Sequence, residues 1–343
     1  MKLKLRPEEI LSLLLTLAAL VSLVAFNAIN FKSPTEILAD MIKYFSFGDT
    51  LFSVFFFAIW IIFFWRAFKE LYRLAVKRLV DKHKLDRTDL KTAVAAVLEP
   101  LRFLWPLALF AVPLYGLLGV MGVQFQNEAK DLWLNAVDQR LFGFSPFLHF
   151  PSRYQDPAFE TLIEFAYTLL QYVMALSLLV FLLLKEFTIL RKFIFSFILS
   201  LVLGFPLYAA VPCQDPSNYF IRNLRGHELP LEMQAELHAY SPSPKVSFMI
   251  SRIQDSETDV AKNNNVPISC FPSDHALWSI LIVYYLALLA PWTLAFSIPW
   301  AFSVMSGGIY FGQHYVVDYL MAALIAIICI TLAHLVIKPE QHR

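Results

Sequence analysis

Long apolar runs broken by short polar stretches dominate this chain, and each run approaches the roughly 20 residues that a helix needs to cross a bilayer. About eight stand out, near residues 10–29, 50–66, 101–123, 159–184, 193–211, 273–290, 293–311 and 314–337. The seventh is interrupted by Pro299 and the Gly307–Gly308 pair. His275 and His314 nevertheless lie 39 residues apart, room for one descent, a turn at Pro291 and one ascent. The pattern predicts an all-α polytopic membrane protein with about eight transmembrane helices. Between the second and third runs, Phe68, Leu71, Ala75 and Leu79 recur at helical spacing among lysines and arginines. That describes an amphipathic segment over 68–98, set either on the inner membrane surface or as a solvated linker. Residues 131–150, "DLWLNAVDQRLFGFSPFLHF", mix aromatic and polar side chains as an interfacial stretch does.

Composition agrees with the pattern. Of 343 residues, 58% are hydrophobic and only 16% charged, too few charges to wet a soluble surface. A net charge of +1 and the lack of a basic tail argue against a nucleic-acid partner. The first run follows basic residues as a signal peptide would, but Glu8 and Glu9 interrupt its flank, so it reads as an uncleaved span. Lys2, Lys4 and Arg6, the many cations between 66 and 91, Lys185, Arg191, Lys192, Lys338 and Arg343 all fall on one side. The positive-inside rule then places both termini in the cytoplasm. The loop 212–271 and the beginnings of the sixth and eighth spans fall on the extracytoplasmic face. No His/Cys spacing of metal-ligand type is present, and neither metal nor cofactor is expected.

The chemistry gathers at those two span beginnings. Pro272-Ser273-Asp274-His275 opens the sixth, and His314 with Asp318 opens the eighth. Ionisable groups at membrane depth are costly and mark functional sites. His314 and Asp318 are four apart, on one helical face, where the carboxylate fixes the imidazole tautomer. The topology brings them to the same leaflet as His275. A helix N-terminus with Ser273 suits a phosphate, one histidine attacking phosphorus and the other protonating the departing oxygen.

At these residues the sequence resembles the type 2 phosphatidic acid phosphatase superfamily. That family has Pro-Ser-Gly-His at one helix start and Ser-Arg, five residues, His, three residues, Asp at a later one. Here "PSDH" and "GGIYFGQHYVVD" occupy those places. The resemblance implies a six-helix core at 99–338 with the extracytoplasmic loop 212–271. Residues 1–98 then supply two N-terminal spans and the basic segment. It also implies His314 as nucleophile, Asp318 as its orienter, His275 as general acid and Ser273 touching the phosphate. Two departures stand out: the family's Ser-Arg falls at Gly307 and Gly308, and its Lys, six residues, Arg-Pro motif has no clean match. Arg222, Arg225, Lys245 and Arg252 are the candidates to supply the missing cations. Asp274, where the family has glycine, either repels a multiply charged phosphate or accepts a hydrogen bond from a hydroxylated headgroup. The "GQHYVVD" run looks more like the inositol phosphorylceramide synthase-like and sphingomyelin synthase-like branch. That branch passes a phospho-headgroup to a lipid hydroxyl.

The expected activity is therefore a lipid phosphotransferase or phosphatase working through a phosphohistidine. Its expected partners are a phospholipid or lipid phosphate and a lipid alcohol acceptor. A lipid phosphate or polyprenyl pyrophosphate phosphatase is the nearer alternative, and a scaffold or proton-coupled transporter the more distant one. Cys213 and Cys270 both fall on the outer side, at either end of the loop, where a disulfide would close its base. Within that loop, "DSETDVAKNNNVP" has the polar character of a lid.

Overall fold

The computed structural model describes residues 5–30, 50–82, 84–99, 102–107, 130–222, 229–261 and 270–338, and these carry helices and no strand. In chain order the helices are α1 (Pro7–Asn30), α2 (Thr50–Leu79), α3 (Asp131–Phe142), α4 (Pro146–Arg153), α5 (Pro157–Leu183) and α6 (Phe187–Ala210). They continue with α7 (Leu231–Ala239), α8 (Pro244–Ala261), α9 (Asp274–Leu289), α10 (Leu294–Tyr310) and α11 (Val316–Val336). Three of the described helices are long and apolar enough to cross a membrane: α5, α6 through Tyr208, and α11. Helix α9 is equally apolar but has 16 residues. The turn between α9 and α10 falls at Pro291–Thr293. Most of the run at 101–123 lies outside the described residues, as do Arg225 and residues 262–267 of the expected lid.

One boundary differs from expectation. Helix α2 runs unbroken through the second apolar run into the basic segment, because no glycine or proline interrupts residues 50–79. The break comes at Lys82, whose φ of 52° is left-handed, and helix resumes over 87–99. The amphipathic segment is thus partly a continuation of the second helix.

Helices α5, α6, α9, α10 and α11 form the bundle. Helix α10 packs along α5, α11 along α6, and α9 lies among α10, α11 and α6. Leu170, Phe181, Ile194, Leu277, Ile282, Val304 and Ala326 interlock in its core. Helix α1 docks on α6, pinned by the buried Glu8–Arg191 ion pair at 2.5 Å. A separate cluster roofs one end: Leu134, Phe147, Phe220, Met233, Phe271 and Tyr315, with Cys213 bonded to Cys270. Phe147 and Phe220 stack at 5.4 Å within it. Within lipid the bundle owes its cohesion to close packing, whereas the hydrophobic effect holds the roof.

Candidate active site

The beginning of α11 is fixed before any chemistry is considered. Its first amides need acceptors, as at every helix start. Asp318 Oδ2 accepts from the Tyr315 N–H at 2.8 Å, one half of a capping box. Asp138, reaching across from α3, accepts from the N–H groups of Val316 at 2.8 Å and Val317 at 3.0 Å. Just ahead of this clamped turn, Gly312 takes a φ of 65° and accepts from the Ser217 N–H at 2.8 Å. His314 is held between these anchors.

Its imidazole has three partners. Nδ1 lies 3.2 Å from the Cys270 carbonyl oxygen and 3.3 Å from Asp318 Oδ2, both acceptors. That assigns the proton to Nδ1 and leaves Nε2 with its lone pair. Nε2 lies 3.0 Å from Nδ1 of His275, on a different helix. Cys270 is covalently tied to Cys213, so the disulfide closes the base of the loop beside the carbonyl that faces His314.

His275 enters on the first turn of α9. Ser273 caps that helix, its Oγ accepting from the Ala276 N–H at 3.2 Å. The serine is fully buried, while Asp274 and His275 keep part of their surface exposed. Tyr167 of α5 stacks on the His275 ring at 4.5 Å and 17°. Tyr208, buried on α6, donates to Asp274 Oδ2 at 2.7 Å, so the aspartate in the glycine position has a dedicated partner.

Two carboxylates of α3 complete the frame. Asp131 accepts from Tyr315 Oη at 2.7 Å and from the Gln214 N–H at 2.9 Å. It thereby braces the residue after His314 and the residue after Cys213. Burial pushes the Asp131 carboxyl well above the usual range, and raises Asp138 to about 6. Asp215, raised by burial, accepts from the Ser217 hydroxyl and the Asn218 N–H at the π-helical turn Ser217–Arg222. Sequence reasoning missed Asp131, Asp138, Asp215, Tyr167 and Tyr208. For the first two a signal existed: carboxylates seven residues apart share one face of a helix that is otherwise partly apolar.

The structure thus brings together His275, His314 and Asp318, with Ser273 and Asp274 at the same helix start. The candidate cations are placed differently. Lys245 is engaged on α5, 2.9 Å from Glu164 and 2.7 Å from Thr161 Oγ1. Arg252 is exposed on α8, Arg222 ends the π-helical turn, and Arg225 lies outside the described residues. The site expected for an arginine is filled: a Cβ at Gly308 would collide with Tyr319 Oη and lie 3.2 Å from the His314 ring. Tyr319 Oη is itself fixed, donating to the Met305 carbonyl at 2.6 Å. Gly307 is crowded by the Ile163 carbonyl at 3.1 Å and by Tyr167 at 3.3 Å. Among the described residues no His/Cys/Asp/Glu group is arranged to hold a metal ion.

The family model of the PAP2 superfamily matches residues 132–332, from the start of α3 nearly to the end of α11. The chain belongs to the PAP2 superfamily. PAP2 membership carries phosphatase or phosphotransferase chemistry on phosphoesters, and with the apolar helices it makes this an integral membrane protein. The matched region holds every residue of the histidine site and Asp138, and begins one residue after Asp131. No curated protein and no solved structure was found to match the chain.

Proposed function

We propose that this PAP2 protein transfers the phospho-group of a membrane lipid through a phosphohistidine on His314. One observation carries the reading: His314 Nε2 faces His275 Nδ1 at 3.0 Å, while its own Nδ1 faces two acceptors. A nucleophile with a fixed tautomer, beside a second imidazole able to give and take a proton, is the minimum for two-step displacement. His314 Nε2 attacks phosphorus, the bond to the leaving oxygen breaks, and that oxygen takes the proton from His275. An incoming hydroxyl then returns its proton to His275 and attacks phosphorus, breaking the N–P bond. Asp318 orients His314 and steadies its positive charge. The amides at the start of α9 and the Ser273 hydroxyl receive phosphate oxygens. Arg222, Arg225 and Arg252 remain candidate cations, and Lys245 joins them only by leaving Glu164.

The Tyr319 ring in the arginine position favours headgroup transfer to a lipid alcohol, in the manner of inositol phosphorylceramide synthase. Such an exchange needs no pocket for the fully charged free phosphate. Hydrolysis of a lipid phosphate or polyprenyl pyrophosphate is the second reading, favoured by the partial exposure of His275. We place the site on the extracytoplasmic face of an eight-span bundle, termini inside, as the charge pattern along the chain supports.

Lipid mass spectrometry of purified protein in mixed phospholipid micelles, with free phosphate assayed alongside His314→Ala, tests this. A new phospholipid lost in the variant supports transfer, and phosphate release lost in the variant supports hydrolysis. Products unchanged in His314→Ala would overturn the phosphohistidine.

A further inference from the structure

A second polar cluster lies at the end of the bundle opposite the histidine pair. His334 sits near the end of α11, 18 residues beyond Val316. That is roughly 27 Å of helix, close to the thickness of a bilayer's hydrocarbon. Lys192 Nζ of α6 lies 3.1 Å from His334 Nδ1, and Tyr284 Oη of α9 lies 3.0 Å from His334 Nε2. Three helices therefore contribute to one site, none of whose residues takes part in the chemistry at the other end.

The direction of these hydrogen bonds follows from their atoms. An ammonium only donates, so His334 Nδ1 accepts. The Nε2–H then donates to Tyr284 Oη, and the phenolic O–H is left to donate outward. Lys192 keeps two further N–H bonds to give. Among the described residues the ammonium has no carboxylate partner. The neighbouring Glu8 is taken by Arg191 at 2.5 Å. What the cluster offers outward is donors and positive charge. Two turns toward the membrane centre on the same face of α11, Ile327 is exposed and apolar.

We propose that Lys192, Tyr284 and His334 bind the phosphate headgroup of an anionic phospholipid in the leaflet facing away from the histidine pair, its acyl chain lying along Ile327. Free inorganic phosphate shares the headgroup's chemistry but gains nothing from the apolar wall or from the depth of the cluster. Basic side chains near a membrane surface attract anionic lipids in this way. The inference stands apart from the proposed reaction and does not depend on it.

Native mass spectrometry of the detergent-solubilised full chain, titrated with phosphatidylglycerol or phosphatidylcholine, provides the test. Wild type is expected to retain phosphatidylglycerol in preference to phosphatidylcholine by about fivefold, the worth of one basic residue at an anionic surface. Lys192→Gln should abolish that preference and Lys192→Arg restore it, with turnover in neutral micelles unchanged in both. Should Lys192→Gln not survive solubilisation, Tyr284→Phe carries the same test, removing one donor with an expected loss of about twofold. Equal retention of both lipids by wild type, or a preference that survives Lys192→Gln, would overturn the site. Displacement of the lipid by excess inorganic phosphate would overturn the lipid as its occupant.

Discussion

His314 and His275 are in contact at rest, so a substrate has to part them before phosphorus reaches Nε2. On the proposed mechanism this contact poises His275 to give its proton at His314. His275→Ala is expected to slow the first step by about 10²–10⁴-fold, the usual range for a general acid, while lipid binding is retained. Single-turnover kinetics with enzyme in excess over substrate checks this. Asp138 gives a second prediction at this scale. Its folded-state value of about 6 stands above the ordinary 3.8. Its contribution to stability is therefore fully present below about pH 4 and lost as the pH rises through about 6. At roughly 1.4 kcal/mol per pH unit, the loss reaches about 3 kcal/mol across that window. Asp138→Asn should flatten the pH dependence of thermal unfolding between pH 4 and 7, and melting in detergent at several pH values measures it. The histidines and Asp318 were legible in the sequence because ionisable groups in an apolar run announce themselves. Asp138 was marked only by its shared helical face with Asp131, and its role stayed hidden because the amides it holds lie 178 and 179 residues away.

Among elements, the starts of α9 and α11 carry the site, and each is capped from within and braced from another helix. Periodicity and proline placement revealed where these helices begin and turn. The braces stayed hidden because only tertiary packing sets Tyr208 against Asp274, or α3 against α11. Tyr208→Phe leaves a carboxylate oxygen of Asp274 without its donor, and should cost about 1–3 kcal/mol of stability. Asp274→Asn in the same background, able to do without the phenol, should recover part of that loss. Chemical denaturation of the wild type and these two variants in detergent checks the pair. At the close approach of α10 to α11, Gly308→Ala forces Tyr319 to move, an overpacking that typically costs about 1–3 kcal/mol. The same change disturbs the His314 ring, so turnover should fall with stability. Adding Tyr319→Phe, which removes the colliding oxygen, should return part of both.

Across the whole molecule, the disulfide joins two roof segments whose cysteines are 57 residues apart in sequence. Cys213→Ser with Cys270→Ser is expected to lower stability by about 2–4 kcal/mol. It should also lower turnover, since the Cys270 carbonyl loses its tether beside His314. Reduction of the wild-type protein should reproduce both effects, read as melting temperature and rate. The pairing was foreseen because both cysteines border one loop on one side. Of the eight expected spans, three described helices are long and apolar enough to cross a membrane, while α9 and α10, at 16 and 17 residues, are shorter than a free-standing membrane helix.

The tyrosine packed against Gly308 also constrains how this pocket can be changed. An arginine placed at 308 meets the ring at 319 first. Gly308→Arg alone should yield a misfolded or silent protein, while Gly308→Arg with a small residue at 319 has space to fold. The order of substitutions, and not the number of them, decides whether an arginine can be seated in this pocket.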